Sequence, residues 1–152
     1  MSQNNEIKFR MEKQMTDHAT LYKSLMAAAI AARQYAYAPY SGYRVGAALL
    51  GKSGRIYTGC NVENAGYSPT NCAERTAVFK AVSEGEREFS AIAVVGGSGD
   101  SIDPACTPCG VCRQVLAEFC DPTMPVILGN SDQLKVLTLE NLLPLAFTSK
   151  NL

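Results

Sequence analysis

The 152-residue sequence has a single histidine, His18, and no tryptophan. A metal site mixing imidazole with thiolate would need His18 to travel far from every cysteine, so His18 reads as a surface or capping residue. Charge of one sign is also missing: 14 Lys plus Arg balance 14 Asp plus Glu. With no basic block to neutralise a run of phosphates, nucleic acid is not an expected partner. No segment approaches the ~20 consecutive apolar residues of a membrane span. Met1 to Met15 carry neither the apolar run of a signal peptide nor an Arg/Ser-rich transit pattern. A soluble cytoplasmic protein with no membrane partner is the expectation.

In that compartment thiols stay reduced, and the six cysteines need another explanation. Cys60, Cys72, Cys106, Cys109, Cys112 and Cys120 include a C-x-x-C-x-x-C run, which points to metal more than to disulfides. The length suits one domain, able to bury about two-thirds of its unfolded surface. Residues 1–16 show no sustained apolar periodicity and read as a loose N-terminal extension, with residues 17–152 as a single domain.

Leu21, Leu25, Ala28, Ala32 and Tyr35 recur at helical intervals until Pro39. Val45–Leu50 and Arg55–Gly59 read as strands joined by Gly51-Lys52-Ser53-Gly54, an antiparallel hairpin. A second helix is expected from Cys72 to about Gly85, with Asn71 as its N-cap. A strand follows at Ala91–Val95. Gly96-Gly97-Ser98-Gly99 lacks the Lys-Ser/Thr ending of a phosphate loop and reads as a flexible connection. The third helix is marked by Val111, Val115, Leu116 and Phe119. Strands at Val126–Leu128 and Leu134–Leu137, and a short helix capped by Thr138, complete the pattern. Strands interleaved with helices predict an α/β layered domain around a sheet of about five strands.

Thr107-Pro108-Cys109 reads as N-cap, first helical residue and first-turn cysteine. Cys109 and Cys112, three apart, then share one helix face near the end where free amides favour a thiolate. Cys72 begins the second helix in the same way, and adjacent parallel strands would bring the two helix starts together. Three protein ligands leave a fourth tetrahedral position for water, as in a catalytic zinc site. Glu74, two residues after Cys72, could exchange a proton with that water. Alternatively, Glu74 completes a capping box with Asn71, and Cys106 replaces Cys112 as a ligand or closes a four-cysteine structural site with Cys72.

Asn61-Val62-Glu63-Asn64, Cys72-Ala73-Glu74-Arg75-Thr76-Ala77 and Pro108-Cys109-Gly110-Val111-Cys112-Arg113-Gln114 resemble the homotetrameric cytidine deaminases of pyrimidine salvage. Pro39-Tyr40-Ser41, Val45–Leu49 and Leu142-Leu143-Pro144 extend the likeness over residues 20–148. The resemblance implies a three-layer α/β/α domain with a mixed sheet, and one Zn²⁺ per subunit on Cys72, Cys109 and Cys112. It implies Glu74 as proton shuttle and Arg75 as hydrogen-bond donor to cysteine sulfur. Asn61, Glu63, Ala65 and Tyr67 would bind the nucleoside, Asn61 and Glu63 through sugar hydroxyls. Tyr43 stands where the family usually has phenylalanine against the cytosine ring. Tyr67 and Phe147 would reach a neighbour's site in a homotetramer with shared active sites. The implied reaction is deamination of cytidine and deoxycytidine to uridine and deoxyuridine. Rival readings are a deaminase of another cytosine-bearing small molecule such as a nucleoside antibiotic, a polynucleotide-editing deaminase, and a non-catalytic zinc domain.

Overall fold

The computed structural model describes residues 3–152. Helix α1 (Gln3–Arg33) carries the apolar spacing of its second half onto the sheet, where Leu25, Met26 and Ala29 are fully buried. The segment expected to be a loose extension is helical from Gln3, while Met1 and Ser2 lie outside the described residues. Glu6, Lys8, Glu12 and Lys13 face solvent. Intrinsic propensity, which is high for Glu, Lys, Arg and Gln, favours helix there, and the side chains described face solvent. The helix ends two residues before Tyr35, where amides 34–36 turn back to carbonyls 31–33.

Strands β1 (Tyr43–Gly51) and β2 (Ile56–Cys60) form the expected antiparallel hairpin, with Leu50 opposite Ile56. Next in the chain come α2 (Ala73–Ser83), β3 (Phe89–Ser98), α3 (Gly110–Phe119), β4 (Pro125–Gly129), β5 (Leu134–Thr138) and α4 (Leu139–Leu142). The sheet order is β2-β1-β3-β4-β5. Strand β1 is antiparallel to both neighbours, β3 and β4 are parallel, and β5 is antiparallel to β4. Thr138 caps α4 in a reciprocal capping box with Asn141.

Alternation along the strands sorts the core into two layers. Ala48, Leu50, Ala91, Ala93, Val95 and Ile127 face α1. Ala47, Leu49, Ile92, Val94, Val126 and Leu128 face Ala73, Ala77 and Val78 of α2 and Leu116 of α3. The architecture is thus the expected three-layer α/β/α with a mixed five-stranded sheet. Both faces of β3 are covered, which is why Ala91–Val95 reads as one continuous apolar run.

This topology brings the starts of α2 and α3 to one sheet edge, by a route slightly different from the expected one. The strands that feed the two helices, β2 and β3, point the same way, but they are separated by β1 rather than adjacent. Helix α2 reaches the site by pressing on β2 at Gly59, where a Cβ would lie 2.5 Å from the Ala77 amide nitrogen. Thr76 Oγ1 ties the same junction by donating to the Cys60 and Cys72 carbonyl oxygens, at 3.0 and 3.1 Å. Gly59→Ala should therefore push α2 off β2 and cost about 1–3 kcal/mol of stability, the scale of an overpacked core. Urea unfolding followed by circular dichroism checks the shift in midpoint.

Candidate metal centre

Helices α2 and α3 both begin on a cysteine. Cys72 is the N-cap of α2 (φ −77°, ψ 157°) and Cys109 the N-cap of α3 (φ −67°, ψ 165°), neither making a side-chain capping hydrogen bond. The expected caps, Asn71 and Thr107, are each displaced outward from their helix. Asn71 Nδ2 donates instead to Thr76 Oγ1, so the Asn71–Glu74 capping box is absent. Pro108 is buried ahead of Cys109, and its carbonyl accepts from Arg113 Nε at 2.7 Å. With sulfur at the cap, the unpaired amides and positive dipole end of each helix lie beside a group that gains from becoming an anion.

Cys112 follows one turn into α3 and is fully buried. The Cys72, Cys109 and Cys112 sulfurs all lie within 4.8 Å of one another, with Cys72–Cys109 at 3.8 Å and Cys109–Cys112 at 3.6 Å. Tetrahedral zinc–sulfur bonds of about 2.3 Å separate neighbouring sulfurs by about 3.8 Å, so the spacing suits that ion. Cys106 is not part of the group. Its sulfur lies against Gly96, where a Cβ would come within 2.6 Å of it, so the four-cysteine alternative finds no support in the geometry. Cys60 and Cys120 are half-buried, and His18 sits exposed on α1 beside Tyr22.

The electrostatics distinguish the three sulfurs. Cys72 is pulled down to about 5, first by a hydrogen bond from Cys112 and then by Arg75, against the opposing effect of burial. Cys112 is pushed up, chiefly by that same hydrogen bond and by burial. One thiolate is thus favoured while its neighbour holds a proton, and a cation entering the group would displace protons from the rest. Arg75 Nη2 lies 3.7 Å from Cys72 Sγ and donates to the Thr70 carbonyl at 3.1 Å. Its Nε is buried with no hydrogen-bond partner among the described residues. An orphaned cationic donor beside three sulfurs fits a centre whose thiolates carry surplus negative charge.

Glu74, in the first turn of α2, is only 3% exposed. Burial pushes its carboxyl up to about 7, with the nearby Cys72 charge adding to the effect. A carboxyl poised near neutral pH can accept a proton and return it. Around this centre, Asn61 is buried and spends its amide on β1, accepting from the Val45 amide at 2.8 Å and donating to the Tyr43 carbonyl at 2.9 Å. Glu63 accepts from the Tyr40 and Ser41 amides and from the Ser41 hydroxyl, which holds its carboxyl below the usual range. Tyr43 is half-buried, and burial is the main cause that raises its hydroxyl above the ordinary value.

The remaining sequence-derived positions face outward. Ala65 lies exposed in the loop after β2, with Tyr67 at 76% exposure and φ +54°. Phe147 is 59% exposed, its carbonyl held by Gln114 Nε2 at 2.8 Å. Two residues not anticipated from sequence also shape the site. Arg113 bridges the Pro108 and Leu142 carbonyls, and Arg33 clamps the loop after β3. Arg113 lies in a quoted motif and could have been suspected. Arg33 carries no local signal beyond closing an alanine-rich helix.

The family described as the cytidine and deoxycytidylate deaminase zinc-binding region matches residues 19–128. A cytidine deaminase of Sporosarcina psychrophila is 53% identical over 131 residues, covering 86% of this chain and 93% of that protein. Another, of Halalkalibacterium halodurans, is 50% identical over 84% of this chain and 95% of its own length. Among solved structures, the cytidine deaminase from Burkholderia pseudomallei superposes with a TM-score of 0.74 at 50% identity, covering 82% of this chain and 97% of that one.

The three sulfurs make metal content the direct check. Purified wild type should carry one zinc per chain, and Cys106→Ala should retain it. Cys112→Ala should lose zinc at least tenfold more readily to a chelator, read by metal analysis and a zinc-responsive dye.

Proposed function

The chain belongs to the cytidine and deoxycytidylate deaminase zinc-binding family, and from that premise we propose that it hydrolyses cytidine and deoxycytidine to uridine and deoxyuridine with release of ammonia. The observation that carries the reading is one buried carboxyl, Glu74, in the same helix turn as one of three gathered cysteine sulfurs. Cys72, Cys109 and Cys112 hold the ion. When bound, zinc supplies the Lewis acidity that makes a water molecule nucleophilic near neutral pH.

Glu74 receives one proton from the attacking water and delivers it to ring N3 as oxygen bonds to C4. It then carries the second proton, from the new C4 hydroxyl, to the amino group, so the C4–N bond breaks and ammonia leaves. Protons and bonds balance with one water consumed. A carboxyl held near 7 by burial suits both directions of this traffic. Arg75 draws negative charge from Cys72, the sulfur it touches, and so preserves the acidity that three thiolates would otherwise reduce.

Asn61 and Glu63 line the sugar side of the site in this reading. Each carboxylate or amide oxygen has two lone pairs, so their bonds to β1 and to Tyr40–Ser41 fix the groups and leave acceptor capacity for hydroxyls. Tyr43 and the Ala65 segment flank the base and sugar. Tyr67 and Phe147 are too exposed to enclose a substrate within their own chain, which supports a homotetramer in which they complete a neighbour's site. Six free cysteines support a reducing, cytoplasmic setting. Among the described residues no helix is long and apolar enough to cross a membrane.

Loss of the cytosine absorbance band with release of ammonia reports the reaction. Glu74→Gln, isosteric but unable to move a proton, should lower kcat by about 10²–10⁴-fold while keeping zinc. Full activity in that variant removes Glu74 from the mechanism. A folded, zinc-loaded wild type inert toward both nucleosides redirects the reading to another cytosine compound.

A further inference from the structure

Tyr43 opens β1 at the sheet edge where the three sulfurs gather, and its ring lies on the face that Ala47 and Leu49 present to α2 and α3. The ring is confined from two sides. A Cβ on Gly96 would come 2.9 Å from Tyr43 Cε1, so only glycine lets the ring settle against β3. The hydroxyl donates to Asp103 Oδ2 at 3.0 Å, with the buried Cys106 thiol as a second, weaker hydrogen-bonding neighbour.

Asp103 is itself closely held. Its amide donates to the Gly96 carbonyl at 2.7 Å, its Oδ1 accepts from the Ala105 amide at 2.8 Å, and its carbonyl accepts from the Cys106 amide at 3.1 Å. Of Gly96-Gly97-Ser98-Gly99, expected to be a flexible connection, the first three instead extend β3 against β1, and the loop after them folds back over Gly97, where a Cβ would collide with the Ser101 carbonyl oxygen. Arg33 locks that fold from the far side of the sheet. Only 3% exposed, it donates through Nη2 to the carbonyls of Gly97, Gly99 and Ser101 at 2.9, 2.9 and 2.7 Å, and through Nε to the Arg44 carbonyl at 3.1 Å. A buried guanidinium gains from hydrogen-bonded donors. Carbonyls of β1 and of the loop take up Nε and Nη2 together, so the two segments keep one spacing.

We infer that Asp103 is a positioning residue for the base: anchored by the Arg33-held loop, it turns the Tyr43 hydroxyl out of the site and fixes the tilt of the ring against which the cytosine packs. The inference rests on the cytidine deaminase reading and concerns substrate binding rather than proton transfer. Without Asp103 the hydroxyl keeps only the weak Cys106 thiol beside it, and the ring loses the tie to the loop that fixes its stacking geometry. Aromatic stacking and edge contacts are worth enough to set affinity at the several-fold level.

The test is a double-mutant cycle in steady-state cytidine deamination by zinc-loaded protein, with zinc content and melting temperature measured alongside. Asp103→Ala should raise KM by about 3- to 10-fold with kcat within about twofold, the scale of a lost aromatic contact. Asp103→Asn, which keeps one acceptor oxygen where the carboxylate uses two, should restore part of the loss. In a Tyr43→Phe background, whatever that protein's own KM, Asp103→Ala should add less than about twofold, because the hydroxyl it serves is gone. An Asp103→Ala effect that persists undiminished beside Tyr43→Phe makes the residue a loop support only and overturns the inference. So does an unchanged KM in Asp103→Ala with Tyr43 present. Wild type that turns over no cytidine overturns the functional reading and this inference with it, whereas turnover without coupling overturns this inference alone.

Discussion

Gathering three sulfurs within 4.8 Å is the constraint on which the rest of the structure depends. Two helices must start at the same point, so the strands that feed them must run the same way and end at the same edge. The sheet meets that demand with β2 and β3, one on each side of β1. Helix α2 then has to lie almost directly on β2, which accounts for a glycine at position 59 and for Thr76 bonded to carbonyls on both sides of the junction. On the opposite face α1 carries none of the metal chemistry, yet it sends Arg33 to the loop that borders the same edge.

Placing cysteine at both helix caps departs from the usual preference for a hydroxyl or carboxamide there, and it forgoes a capping bond worth on the order of 1 kcal/mol. The amides left unpaired are what a thiolate needs beside it. Burial works against ionisation at Glu74 and in its favour nowhere, and this carboxyl is pushed up to about 7. One small volume therefore holds an acid raised toward neutrality and a thiol lowered to about 5. Their opposed shifts have different causes: desolvation dominates at Glu74, while hydrogen bonds from Cys112 and Arg75 overcome it at Cys72. Opposed environments of this sort are how proteins assign separate roles to groups a few residues apart.

The mixed sheet and its helices were legible wherever packing imposes a period. The hairpin at Gly51–Gly54, the apolar run of β3 and the capped turn at Thr138 all lie close to where residue type placed them. The first half of α1 was not legible, because its sequence carries no sustained apolar period and propensity alone is a weak signal. The caps were misplaced by one or two residues for a related reason. Asn71 and Thr107 are better N-caps than cysteine by local preference, and the geometry of the sulfur cluster overrode that preference.

The sequence alone determined the chemical inventory: three thiols at fixed spacings near two helix starts, a glutamate two residues from one of them, and too little histidine or basic charge for other metal or polynucleotide chemistry. Spacing along one helix is local geometry, so Cys109 and Cys112 could be paired from their separation. Only the tertiary structure decided that Cys72 joins them and Cys106 does not, and that one loop is held by Arg33 at Ser101 and holds Tyr43 through Asp103. Such contacts are made by elements that meet only once the sheet is assembled, and no periodicity records which side chain a distant strand will place beside another.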